Sequence, residues 1–230
     1  MMQRLQDTQE PALRGRRFRA GSFLEPLIVY LILFSPGIFS GEAVPVPQNF
    51  SMNRELFRFL SFTLPSLAIL GCLLKRVKNL SQWGLAKPKG RDILVFLFTL
   101  PLLFFMGWAV SFLAHRITPL PPPPQAGSPG NLLQWLVLAA SCIGTGYLEE
   151  GYFRFYLFKT LGAAGISGGK ILFLSVFLFS LCHAYEGPWG MANAALAGLL
   201  LGLVFKSLGT LHAIAWAHGA YNMLVYLIGS

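Results

Sequence analysis

Seven stretches of the chain are apolar almost without interruption, and polar residues gather between them. They run Phe23–Ser40, Leu56–Leu74, Ile93–Ala114, Leu132–Phe158, Ile171–Ala184, Trp189–Phe205 and Thr210–Ile228. Most approach the ~20 residues that a helix needs to cross a hydrocarbon core of ~30 Å. The Leu132 run is longer and predicts a tilted or partly interfacial helix; the Ile171 run is short and must borrow flanking residues. The expected fold is all-α, a polytopic transmembrane helix bundle of about seven spans, with six to eight as the range. No internal repeat is visible.

Composition strengthens this picture. Of 230 residues, 54% are hydrophobic and only 12% charged, against the ~25% charged of an ordinary soluble domain. The net charge of +9 would suit nucleic acid if the basic residues formed a patch, but they are dispersed by side of the membrane. Arg4, Arg14, Arg16, Arg17 and Arg19 precede the first span. Lys75, Arg76, Lys78, Lys87, Lys89 and Arg91 lie around the second connection, and Lys159, Lys170 and Lys206 mark later ones on the same side. Cytoplasmic loops collect Lys and Arg, so the bias predicts a cytoplasmic N-terminus, and no nucleic-acid partner. The only partner surface that composition implies is the lipid bilayer.

Four segments follow from this reading. Residues 1–22 form a basic cytoplasmic tail, 23–117 three N-terminal helices, 118–131 a proline-rich outer loop, and 132–230 a four-helix core. The first apolar run follows basic residues as a signal peptide does, but no cleavage site follows it, and it reads as an uncleaved helix. Cys72, Cys142 and Cys182 all lie in apolar segments and read as packing residues rather than a disulfide framework.

Polar side chains break the pattern mainly in the C-terminal half. A central Asp, Arg or Lys costs roughly 2.5–3.5 kcal/mol on insertion scales, yet Glu149, Glu150, Arg154, His183, His218 and Asn222 all fall within apolar runs. Glu150 and Arg154 are four apart and share a helix face, as do His218 and Asn222. Glu149 points about 100° away from Glu150. Counted from Lys159, Lys170 and Lys206, the residues Glu149, His183 and His218 lie ten, thirteen and twelve positions inward. At 1.5 Å per residue these are depths of roughly 15–20 Å. Three helices thus bring ionisable groups to one level. Taken singly, each has a bland reading: a structural clamp for Glu150–Arg154, a satisfied histidine for His183, interhelical glue for Asn222. Glu25 and His115 read as incidental, and His212 as packing or lipid-edge.

Three short motifs stand in order on successive apolar segments. Glu149–Arg154 reads E-E-x-x-x-R, Phe179–His183 reads F-x-x-x-H, and His218–Asn222 reads H-x-x-x-N. In this order they resemble the CPBP family of intramembrane proteases, which includes Ras-converting CAAX endopeptidases and bacterial relatives linked to bacteriocin processing or immunity. The resemblance covers about Leu132 to the C-terminus, and the Gly198–Gly202 segment shares it. It implies a membrane-embedded peptide hydrolase of the glutamic type. Glu149 and His183 would activate water, His218 and Asn222 would stabilise the oxyanion, and Glu150, Arg154 and Phe179 would support them. It implies no cofactor; the alternative is zinc held by Glu149, His183 and His218. The implied partner is a membrane-anchored protein or peptide substrate, lipidated or not, and the implied location a bacterial cytoplasmic membrane. Two rival classes remain: a catalytically silent immunity or scaffold relative that binds a peptide, and a small proton-coupled carrier.

Overall fold

The computed structural model describes residues 21–39, 50–75, 87–118 and 128–228. The basic tail before residue 21 and most of the proline-rich loop fall outside them. Each expected apolar run is a helix. Helix α1 is Gly21–Phe39; α2 (Met52–Arg58) passes through a π-helical turn, Phe59–Thr63, into α3 (Leu64–Lys75). Helix α4 is Gly90–Ile117, and α5 (Leu132–Glu150) continues through a second π-helical segment, Gly151–Tyr156, into α6 (Leu157–Ala163). Helices α7 (Gly168–Leu181), α8 (Gly187–Leu208) and α9 (Leu211–Ile228) complete the bundle. Continuous helix is what hydrocarbon demands, because backbone groups find no water there and must bond within their own segment.

Four rods are long and apolar enough to cross a membrane: Met52–Leu74, Gly90–Ile117, Leu132–Ala163 and Ala184–Leu208. Phe23–Pro36 and Gly168–Leu181 are shorter apolar helices. Large apolar side chains such as Phe98, Phe105 and Trp108 on α4 point outward, as a lipid-facing surface requires.

The α5–α6 rod is the axis of the bundle, and Gly151 through Leu157 are all buried. Lipid tails give no hydrophobic drive to bring helices together, so close van der Waals fit must do so. Gly146 and Gly219 supply that fit between α5 and α9. A Cβ on Gly146 would run into the Ala215 carbonyl, and one on Gly219 would lie 2.8 Å from Ile143 Cα and 2.9 Å from the Cys142 carbonyl. On another face, Gly144 receives Phe59 and Thr63, and Gly151 receives Leu70. Helix α4 lies against both α8 and α9, and α7 and α8 form an antiparallel pair. The α8–α9 turn needs only two residues because Gly209 adopts φ 63°, closing α8 in the left-handed conformation.

Polar ties fasten the N-terminal helices to this axis. Tyr30 donates to the Leu178 carbonyl at 2.8 Å and Tyr152 to the Pro26 carbonyl at 2.7 Å. Tyr156 donates to Glu25 at 2.9 Å, so Glu25 is not incidental as its position in the sequence implies. In the second π-helical segment Ser175 donates to the Phe153 carbonyl at 3.0 Å. Wide π turns are usual places for such side-chain insertions. Farther from the Lys159 end, Glu55 is 2% exposed and joins Arg58 (2.8 Å), Ser141 (3.1 Å) and Tyr226 (3.4 Å). This clasp ties α2 to both α5 and α9.

The α5–α9 approach yields a direct test. Gly219→Ala should destabilise the protein by about 1–3 kcal/mol, as overpacked cores do, because backbone rather than a flexible side chain opposes the new methyl. A lowered midpoint in denaturant or thermal unfolding of detergent-solubilised protein would register it.

Candidate active site

The polar side chains that the apolar runs ought to exclude converge between α5, α7, α8 and α9. Glu150, at the last position of α5, is fully buried, as is Arg154 in the π-helical segment one turn on. Arg154 Nε lies 3.1 Å from Glu150 Oε2, and its Nη1 donates to Glu150 Oε1 at 3.2 Å. Its Nη2 donates to the Gly198 carbonyl at 2.9 Å. The guanidinium carbon stands 4.7 Å from the centre of the Phe179 ring and 5.7 Å from that of Phe153. Cation–π contact with ring faces gains strength when the cation is desolvated. Gly198 makes this possible, since a Cβ there would sit 3.1 Å from Phe179 and 3.3 Å from Arg154 Nη2.

His218 joins both carboxylates. Its Nδ1 lies 2.8 Å from Glu150 Oε1 and its Nε2 3.5 Å from Glu149 Oε2. An ionised Glu150 can only accept, so Nδ1 carries the proton, and the hydrogen bond fixes the face that Nε2 presents. The Glu149 side chain is 16% exposed. Its Oε2 is buried without a hydrogen-bond partner among the described residues, which leaves it turned toward the site with acceptor capacity unused.

His183 comes in from the end of α7. Its Nδ1 lies 2.8 Å from the Phe179 carbonyl, and Cys182 Sγ reaches the same carbonyl at 3.1 Å. Phe179 stands between the histidines, 4.7 Å from the His183 ring and 5.8 Å from that of His218 by ring centres. Asn222 follows His218 by one turn on α9 and is half-buried. The sequence-predicted set therefore divides. Glu149, Glu150, Arg154 and His218 form one connected cluster, His183 adjoins it through Phe179, and Asn222 flanks it along α9.

Both His218 nitrogens face glutamates and His183 Nδ1 lies on a backbone carbonyl. Among the described residues no three His, Cys, Asp or Glu side chains are grouped to hold a metal ion. In the sequence alternative, zinc held by Glu149, His183 and His218, both histidines have Nδ1 on an oxygen acceptor, an orientation that zinc-bound histidines share.

Sequence spacing left several participants unseen. His212, read as packing or lipid-edge, packs against Tyr147 and Trp216 and meets Tyr147 Oη at 2.8 Å. Tyr185 stacks on His183 with ring centres 6.1 Å apart. The Glu55–Arg58 clasp was foreshadowed only by two charges three apart at the mouth of an apolar run.

Residues 131–224 match the family model described as Type II CAAX prenyl endopeptidase Rce1-like. Comparison with curated proteins and with solved structures returns no match.

The buried pair makes its own prediction. Glu150→Gln and Arg154→Met should each destabilise the fold by about 3–5 kcal/mol, because each leaves a buried charge uncompensated. The double substitution should cost at least ~1 kcal/mol less than their sum. Unfolding midpoints of the two single variants and the double variant decide it; strict additivity would mean the pair is not coupled.

Proposed function

We propose, from the premise that residues 131–224 belong to the Rce1-like family of CAAX prenyl endopeptidases, that this chain hydrolyses a peptide bond with Glu149 and His183 as the water-activating pair. The match over residues 131–224 supports an intramembrane endopeptidase in class. The observation that carries the finer reading is Glu149 Oε2, buried without a hydrogen bond and 3.5 Å from His218 Nε2, beside the Glu150–Arg154–His218 cluster.

In this reading a water bound between Glu149 and His183 attacks the scissile carbonyl. Glu149 takes one of its protons as the new C–O bond forms, then passes it to the departing amine as the C–N bond breaks. Negative charge develops on the carbonyl oxygen, and donors in a dry site stabilise it by several kcal/mol. His218 Nε2 and Asn222 are assigned that task. With Nδ1 already given to Glu150, His218 donates from Nε2 only when doubly protonated. The two flanking carboxylates against one guanidinium supply the negative charge that balances that form. Glu150 and Arg154 hold the ring and the helix end in place, and Phe179 packs between the histidines.

The substrate is a membrane-anchored protein or peptide, lipidated or not, cleaved within the bilayer or at its surface. The basic connections favour a cytoplasmic N-terminus in a bacterial cytoplasmic membrane.

Reconstituted full-length protein with tagged membrane-anchored peptides tests the assignment. Glu149→Ala and His183→Ala should each slow cleavage by roughly 10²–10⁴-fold, and Asn222→Ala should lower kcat by about 10²-fold with KM little changed. Cleavage that survives both of the first two would sink the mechanism. Metal chelators should leave the rate unchanged, and a rate that falls and returns on adding zinc would overturn the metal-free assignment.

A further inference from the structure

One ionisable side chain beside the cluster has no part in this mechanism. Glu186 ends the short 3₁₀ turn Ala184–Glu186 that follows His183. Its N–H donates to the His183 carbonyl at 3.0 Å. The preceding residue, Tyr185, stacks its ring on His183 with centres 6.1 Å apart, so Glu186 follows directly on the side chain that covers the catalytic histidine. The Glu186 carboxylate lies over the first turn of α8, where a Cβ on Gly190 would come within 2.8 Å of its Oε2. Glycine at 190 leaves room for the side chain to lie there.

Depth and exposure say what Glu186 faces. Along α7, His183 lies thirteen residues from Lys170; along α8, Glu186 lies twenty from Lys206. These correspond to about 20 and 30 Å from the lysine edge. Glu186 is nonetheless exposed. A carboxylate exposed at that depth is costly against hydrocarbon and turns to a water-filled cavity or to the far surface. A wet turn whose Tyr185 lies against His183 is placed to serve as an opening through which water and substrate reach Glu149.

Charge at this opening is not balanced. Among the described residues no ion pair includes Glu186. Arg154, the cation of the site, is fully buried and already committed to Glu150 and the Gly198 carbonyl.

We infer that Glu186 is a specificity-determining residue that favours substrates with a lysine or arginine side chain close to the scissile bond. The inference rests on the endopeptidase reading. A basic side chain would neutralise the rim carboxylate as the peptide enters, whereas an acidic one at the same register meets Glu186 and Glu149 together and is rejected by repulsion.

Full-length protein carrying Glu149→Gln, so that bound peptide is not consumed, provides the binding test. One neutral membrane-anchored peptide is labelled with a fluorophore, and a single Lys, Met or Glu is moved along it residue by residue. At one or two registers Lys should bind about tenfold more tightly than Met, and Glu more weakly than Met. Adding Glu186→Gln should bring the three within about twofold, and Glu186→Lys should reverse their order. A scan with no charge preference at any register, or a Lys preference that persists with Glu186→Gln, would overturn the inference. The same peptides offered to the wild type separate the two readings. Absence of cleavage defeats the endopeptidase reading, whereas cleavage without charge selection defeats this inference alone.

Discussion

A guanidinium with no access to water must find its partners inside the protein, and Arg154 is such a group at the centre of the bundle. Burying an ion without partners costs several kcal/mol even after the protein relaxes. Its environment answers most of that demand: Glu150 for charge, the Gly198 carbonyl for one N–H, and the Phe179 and Phe153 rings around it, while Nε stands within ion-pair distance of Glu150 without a hydrogen bond. Those partners come from four different segments. Satisfying one side chain therefore fixes the separation of α5, α7 and α8 and the rotation of each. Through Glu150 it also fixes His218 on α9. The geometry around Glu149 is a by-product of solving that problem.

Glycine makes the solution sterically possible. Gly146 and Gly219 let α5 and α9 approach until backbone meets backbone, which brings His218 within reach of two adjacent glutamates. Gly198 performs the same service between α8 and the Arg154–Phe179 contact. Farther along the same two helices, the Glu55, Arg58, Ser141 and Tyr226 clasp joins α5, α9 and α2. Helices α5 and α9 are thus held together at two polar levels with an apolar, glycine-rich stretch between.

The helices were plain in the sequence because hydrocarbon allows little else, and the run lengths report the thickness directly. The Glu150–Arg154 pairing was equally plain, since four residues return the chain to one face of a single helix. Relations between helices were not. That both His218 nitrogens face glutamates depends on the rotation of α9 against α5, which small residues set and spacing along one chain does not encode. Glu25 was misjudged, and the partner of His212 missed, for the same reason, as Tyr156 and Tyr147 lie 131 and 65 residues away. The π-helical segment at Gly151–Tyr156 carries no composition signal that would separate it from ordinary α-helix.

The tie between Glu25 and Tyr156 has a consequence for synthesis. A chain made from its N-terminus puts α1 into the membrane with a carboxylate near its first turn, and the tyrosine that receives it lies 131 residues downstream. At roughly 5–20 residues per second, that partner arrives some 7–26 seconds later. Until then α1 must hold its place by hydrophobicity alone, with Glu25 drawn to the headgroups or to a transient companion. Helix α1 is thus made well before the partner that secures it, and assembly of this bundle is a matter of timing as well as of fit.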